Sequence, residues 1–232
     1  MRERSPSCGD ESQTTPRAGA IRPLYGATAL AKSKRGTPFK RPENGQFVPG
    51  THFRQFVFDE TGDTDMLSEA GSDYGGFGTV QLLKQTDPSA DTGTIRVLYQ
   101  GDSAHAGFDN VTFVDRHKAA FAEDAGDTLH TQRHALDSGY LVDVRADYSS
   151  PQTPAPRRFL AEGRDPSATF DAEHTTGNQG DNEITGIHAS DGDPGTGGIL
   201  GAKVPTLFQD GWRLFWTQQH GDNYTWEVKP SE

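Results

Sequence analysis

The apolar residues of this chain come in short bursts, and turn-forming residues end each burst before it can run on. Ten bursts stand out: HFRQFVF (52–58), TVQLL (79–83), TIRVLY (94–99), VTFV (111–114), AAFA (119–122), GYLVDV (139–144), RFLAE (158–162), ITGIHA (184–189), WRLFWT (212–217) and YTWEV (224–228). Several alternate apolar and polar side chains, which is the period of a half-buried strand. With 27 glycines and 14 prolines in 232 residues, the backbone is punctuated too often for long helices. Only one-turn helical pieces are expected. No apolar run approaches the ~18 residues of a membrane-spanning helix. Ten short strands with turns between them predict an all-β protein, built as a sandwich, a barrel or a propeller.

A repeat favours the propeller. Three strand ends carry ligand-type side chains followed by Gly-Asp: FDETGD (58–63), AEDAGD (122–127) and QQHGDN (218–223). Upstream of each sits an acid or amide pair, at Glu43-Asn44, Asp109-Asn110 and Asp181-Asn182-Glu183. Radial repetition of such units brings the start of each inner strand to a common channel. The chain holds about three such units, so the expected fold is a β-propeller-like domain over 39–232, incomplete at about three blades. Residues 1–38 read as a disordered basic leader, polar and rich in Ser, Thr and Pro.

Charge is unevenly placed. Residues 1–41 hold nine Lys and Arg against three acids, whereas the other 191 residues carry an excess of 17 negative charges. An acidic body repels a phosphate backbone, so no nucleic-acid partner is expected for the folded part. Asp outnumbers Glu by 22 to 11, which fits loops rich in Asx turns, some of them able to hold Ca²⁺. The one cysteine, Cys8, permits no intramolecular disulfide and no thiolate cluster. The N-terminus has no apolar signal segment, so localisation is not readable from the chain.

If the three acid/amide clusters converge, Glu43, Asp109, Asn110, Glu123, Asp124 and Glu183 make an oxygen-rich cavity suited to a hard cation. The competing reading is that strand-end Asp and Asn merely cap turns. His220, in the QQHGD turn, is a candidate ligand or acid. His130 and His134 have the spacing of a zinc-binding pair, but HTQRH lacks the glutamate beside the first histidine and sits in a hairpin-like segment. No GxSxG elbow, P-loop or dinucleotide fingerprint occurs.

The run Asp109-Asn110-Val111-Thr112-Phe113, continued by Phe121-Ala122-Glu123-Asp124, resembles a pattern of the PhoX-type alkaline phosphatases and related bacterial proteins. Glu183-Ile184-Thr185-Gly186, with Gln219-His220-Gly221, is similar to that family's closing signature, and Arg41-Pro42-Glu43 to its Arg-x-Glu strand start. The resemblance spans roughly residues 40–228 and makes the chain look like the C-terminal part of a larger propeller. It implies a calcium-dependent phosphomonoester hydrolase acting outside the cytoplasm, with iron beside calcium in the best-known members. By the same resemblance, Glu43, Asp109, Asn110, Glu123, Asp124 and Glu183 would be metal ligands. Arg41 would clamp the phosphate of a phosphorylated small molecule, and Glu183 and His220 would complete the catalytic set. The alternative is a non-catalytic Ca²⁺-binding propeller module that assembles with itself or with a partner chain that completes the ring.

Overall fold

A computed structural model describes residues 27–62, 76–124, 129, 135–162, 183–195, 203–219 and 224–230. The chain divides into two compact units, Met1–Pro38 and Phe39–Glu232. In the first, Ala27–Ser33 form helix α1, longer than the one-turn pieces expected from the sequence. Its Ala, Leu and Lys residues are strong helix formers. Arg35 turns to a left-handed φ of 55°, and the Gly36 N–H closes the end by donating to the Ala31 carbonyl at 2.8 Å.

The second unit contains three antiparallel sheets. The first joins β1 (Pro42–Phe47), β2 (Gln55–Glu60), β3 (Thr79–Gln85) and β4 (Gly93–Gln100) in chain order. The second joins β5 (Phe108–Phe113), β6 (Lys118–Glu123), β7 (Asp137–Asp143) and β8 (Arg157–Glu162), also in chain order. The third joins β9 (Glu183–Ser190), β10 (Arg213–Gln219) and β11 (Thr225–Val228), with β10 central. All ten apolar bursts lie in or overlap these strands. The one strand the bursts do not announce is β1, whose sequence PENGQF is polar and contains Pro and Gly.

Besides its ladder with β2, strand β1 is tied by side chains. The Asn44 N–H donates to Asp59 Oδ1 at 2.9 Å, and Gln46 Oε1 accepts the Phe113 N–H at 2.7 Å. Asn44 Nδ2 donates to Asn110 Oδ1 at 3.1 Å, so β1 lies against β5, and both start at the same end. On the other side of β5, Thr112 Oγ1 accepts the Ala189 N–H of β9 at 3.1 Å. The first strands of the three sheets thus adjoin one another in sequence.

The second sheet is buried on both faces, and strand alternation decides which residue goes where. Ala119 and Phe121 face the first sheet and join Val57, Val80, Leu82, Phe108 and Tyr140 in one core. Ala120 and Ala122 face the third sheet, beside Ile184, Ile187, Leu214 and Trp216. Phe121 anchors the larger core, its ring centroid 4.9 Å from Phe108 and 5.5 Å from Tyr140. The outer face of the first sheet is left partly open. Phe47, Phe56, Leu83 and Ile95 are consecutive register partners across it, with Phe39 and Phe58 in edge contact alongside.

Much of the aspartate excess is turn chemistry. Asp87, Asp102, Asp115, Asp143, Asp147, Asp191 and Asp193 each accept a backbone N–H two residues ahead. These are Asx turns, which set the loops between strands.

Candidate functional site

The starts of β1 and β5 and the end of β2 bring acids and amides to one place. Its centre is Asp59, a fully buried residue on β2 that faces inward with Val57. Asp59 Oδ1 accepts the Asn44 N–H, while Oδ2 is buried without a hydrogen-bond partner. Burial first, and then the charges of Asp109 and Glu43, push its carboxyl well above the ordinary value of 3.8; the bond from Asn44 opposes them. A carboxylate in that state is either held protonated or neutralised by a cation.

Around Asp59, Asn110 is buried and Asp109 half-buried, with the Asn110 amide donating to Asp109 Oδ2. Glu43 is more open, and its Oε1 lies 4.0 Å from Arg41 Nη2. Arg41 precedes β1 with a left-handed φ of 56° and an exposed guanidinium. Thus the structure gathers Arg41, Glu43, Asp109 and Asn110 from the residues singled out by sequence, and adds Asn44 and Asp59.

The neighbouring acid has a different job. Glu60 points to the opposite side of β2, where its Oε1 accepts the Lys40 N–H at 2.5 Å. Its Oε2 accepts from Gln81 Nε2 at 2.9 Å and from Thr79 Oγ1. Glu60 therefore ties the lead into β1 to β2 and β3. In the sequence FDETGD the two acids look equivalent; only the strand alternation separates them.

Glu123 and Asp124 stand at the end of β6. Glu123 is fully buried, and its Oε1 accepts the Ala106 N–H at 2.8 Å. Burial first, then the charges of Asp102, Tyr140 and Glu123, raise the Tyr99 hydroxyl above its ordinary value. The Asp124 N–H donates to the Gly107 carbonyl at 2.6 Å. Both residues therefore help fasten the segment that leads into β5. Glu183 begins β9, with its Cα opposite Gln219. His220, His130, His134, Cys8, Asp181, Asn182 and the Gly-Asp pairs at 126–127 and 221–222 lie outside the described residues.

Among the described residues, no group of three or more His, Cys, Asp or Glu side chains stands ready to hold a metal ion. Glu43, Asp59 and Asp109 act on one another through charge rather than converging at ligand distance. The orphaned Asp59 oxygen nevertheless fits an oxygen-seeking cation. Calcium takes carboxylates, amide carbonyls and water in flexible geometry, which is the donor chemistry present here. The same set offers iron no nitrogen or sulfur ligand.

No helix among the described residues is long and apolar enough to cross a membrane. No protein-family model, curated protein or solved structure matches the chain.

Proposed function

We propose that this chain is a calcium-dependent phosphomonoester hydrolase of the PhoX type, its three sheets serving as blades of a propeller. The observation that carries the reading is Asp59, buried with one oxygen unpartnered and pressed by Asp109 and Glu43. A second support is the exposed Arg41 guanidinium beside Glu43, since a planar fork of N–H donors suits phosphate oxygens. The resemblance of the Asp109–Asp124 and Glu183–Gly221 segments supplies the reaction class.

In this reading, Asp59, Asp109 and Glu43, with the amide oxygens of Asn44 and Asn110, would hold the cation. Bound Ca²⁺ supplies charge neutralisation of phosphoryl oxygens. Arg41 binds the phosphate from the solvent side and orients it. Asn44 fixes the geometry by bridging β1 to β5 and by holding Asp59 Oδ1. Glu183 is assigned to the catalytic set through the resemblance. The same resemblance assigns His220, as an acid toward the leaving group.

The open outer face of the first sheet favours a second reading, a Ca²⁺-holding module that pairs with a second copy of the chain. Phe39, Phe53, Ile95 and Val97 remain exposed there. Hydrolysis of p-nitrophenyl phosphate in Ca²⁺, lost with chelator and in Asp109→Asn and Glu183→Gln, is the result expected of the hydrolase. Absence of hydrolysis in calcium-loaded protein overturns it. A defined dimer by light scattering then supports the module, and a monomer counts against it.

A further inference from the structure

A second cavity lies at the far end of β1 and β2 from Asp59, and its chemistry is the reverse. It measures about 370 Å³ and is lined by Lys84, Arg96, Arg116, Arg145 and His117, with no carboxylate in its wall. The chain as a whole carries a net charge of −11, so such a wall is not a sample of the surface. Nor does it come from a basic run in the sequence. Lys84 lies near the end of β3, Arg96 lies in β4, Arg116 and His117 form the β5–β6 turn, and Arg145 follows β7. Two sheets have to pack together before these charges meet.

Their commitments differ. Arg145 is neutralised by Asp143, with Nη2 2.6 Å from Oδ2 and Nε 3.0 Å from Oδ1. Arg96 donates through Nη2 to the Val144 carbonyl at 2.8 Å, which fixes its guanidinium. Lys84 and Arg116 have no carboxylate partner among the described residues. Arg116 lies so close to Gly50 that an added Cβ would come 2.6 Å from its Nη1. Gly50 itself has a φ of +73°, a backbone conformation that favours glycine there. Converging cations repel one another, and a concave site focuses their field on whatever enters it.

We propose that this cavity binds a small phosphorylated anion, at a site separate from the candidate cation site. β1 is six residues long, which at ~3.3 Å per residue puts the two sites on the order of 20 Å apart. Guanidinium and ammonium groups from strands and turns of two sheets are the donors that phosphate oxygens select.

The test is calorimetric titration of the full chain with inorganic pyrophosphate, at low salt in calcium-free buffer. Saturable binding is expected. It weakens about ten-fold or more in Arg116→Gln and in Lys84→Glu, each of which removes a charge-assisted contact. Calcium-free buffer leaves the candidate cation site without its metal, so failure here is distinct from failure of the hydrolase reading. Both pocket residues are exposed, and thermal melts confirm that the variants fold. No saturable binding at millimolar pyrophosphate overturns the proposal. So does binding that survives Arg116→Gln and Lys84→Glu but is lost in Asp59→Asn or Arg41→Gln.

Discussion

Replacing Asp59 by asparagine separates a structural carboxylate from one kept for a cation. In the metal-free protein the ionised form of Asp59 is buried with Oδ2 unpartnered and faces the charges of Asp109 and Glu43. Its folded-state pKa is raised, so the folded chain holds the proton more tightly than the unfolded chain. Below the ordinary value of 3.8 both states are protonated. From there upward, toward and through the raised folded value, the metal-free protein loses stability. Asp59→Asn keeps the acceptor for the Asn44 N–H and removes the charge. The relief is that of a buried polar group without a partner, about 1–3 kcal/mol at neutral pH. At ~2–4 °C per kcal/mol for a chain of this size, the variant melts several degrees above wild type. Calcium works against this advantage: at a hundred-fold excess over its Kd, wild type gains ~2.7 kcal/mol and Asp59→Asn gains almost none. Calorimetric melts of both proteins at pH 4, 6 and 8, with calcium or with chelator, measure all of this. The reasoning is refuted if Asp59→Asn is the less stable protein in chelator at pH 8. It is equally refuted if the difference between the two does not shrink toward pH 4.

Other expectations follow from the packing. Phe121→Ala removes the ring at the centre of the larger core and costs ~3–5 kcal/mol by urea unfolding; a loss under 1 kcal/mol would contradict its place there. Glu60→Ala removes the acceptor of the Lys40 N–H, Thr79 Oγ1 and Gln81 Nε2, and lowers stability by about 1–3 kcal/mol without changing calcium binding. Gly78→Ala forces a side chain to a φ of +88° and into the Glu60 carbonyl, so it destabilises by at least ~1–3 kcal/mol, read as a lower melting temperature. On the acid side, the Asp143 carboxyl is held low, first by its bonds from Arg145. Its stabilisation is lost as pH falls through that lowered value, and Arg145→Gln should flatten the acid limb of the stability profile.

The strands were legible because burial on a pleated sheet imposes period two, and ten apolar bursts carry it. β1 escaped because its polar residues show no apolar period; its ladder with β2 and the side-chain bonds of Asn44 and Gln46 to β5 hold it in place. α1 escaped because a short helix of good helix formers leaves no amphipathic pattern to read. The coming together of Glu43, Asp109 and Asn110 followed from their shared position at strand starts. Asp59 was visible in FDETGD, but its role depends on register: one residue along, Glu60 serves as a hydrogen-bonded anchor. The repeat also drew Glu123 and Asp124 into the set, whereas their bonds to Ala106 and Gly107 serve the segment before β5. The basic cavity has no sequence signature, since its cations are gathered from separate strands and turns by the packing of two sheets.

Elemental analysis of the purified chain, after dialysis against metal-free buffer, tests most directly whether the acidic strand ends are a cation site. The account predicts calcium retained at about one equivalent or more, and none in Asp59→Asn. A metal-free protein whose melting temperature does not rise on adding calcium would contradict it.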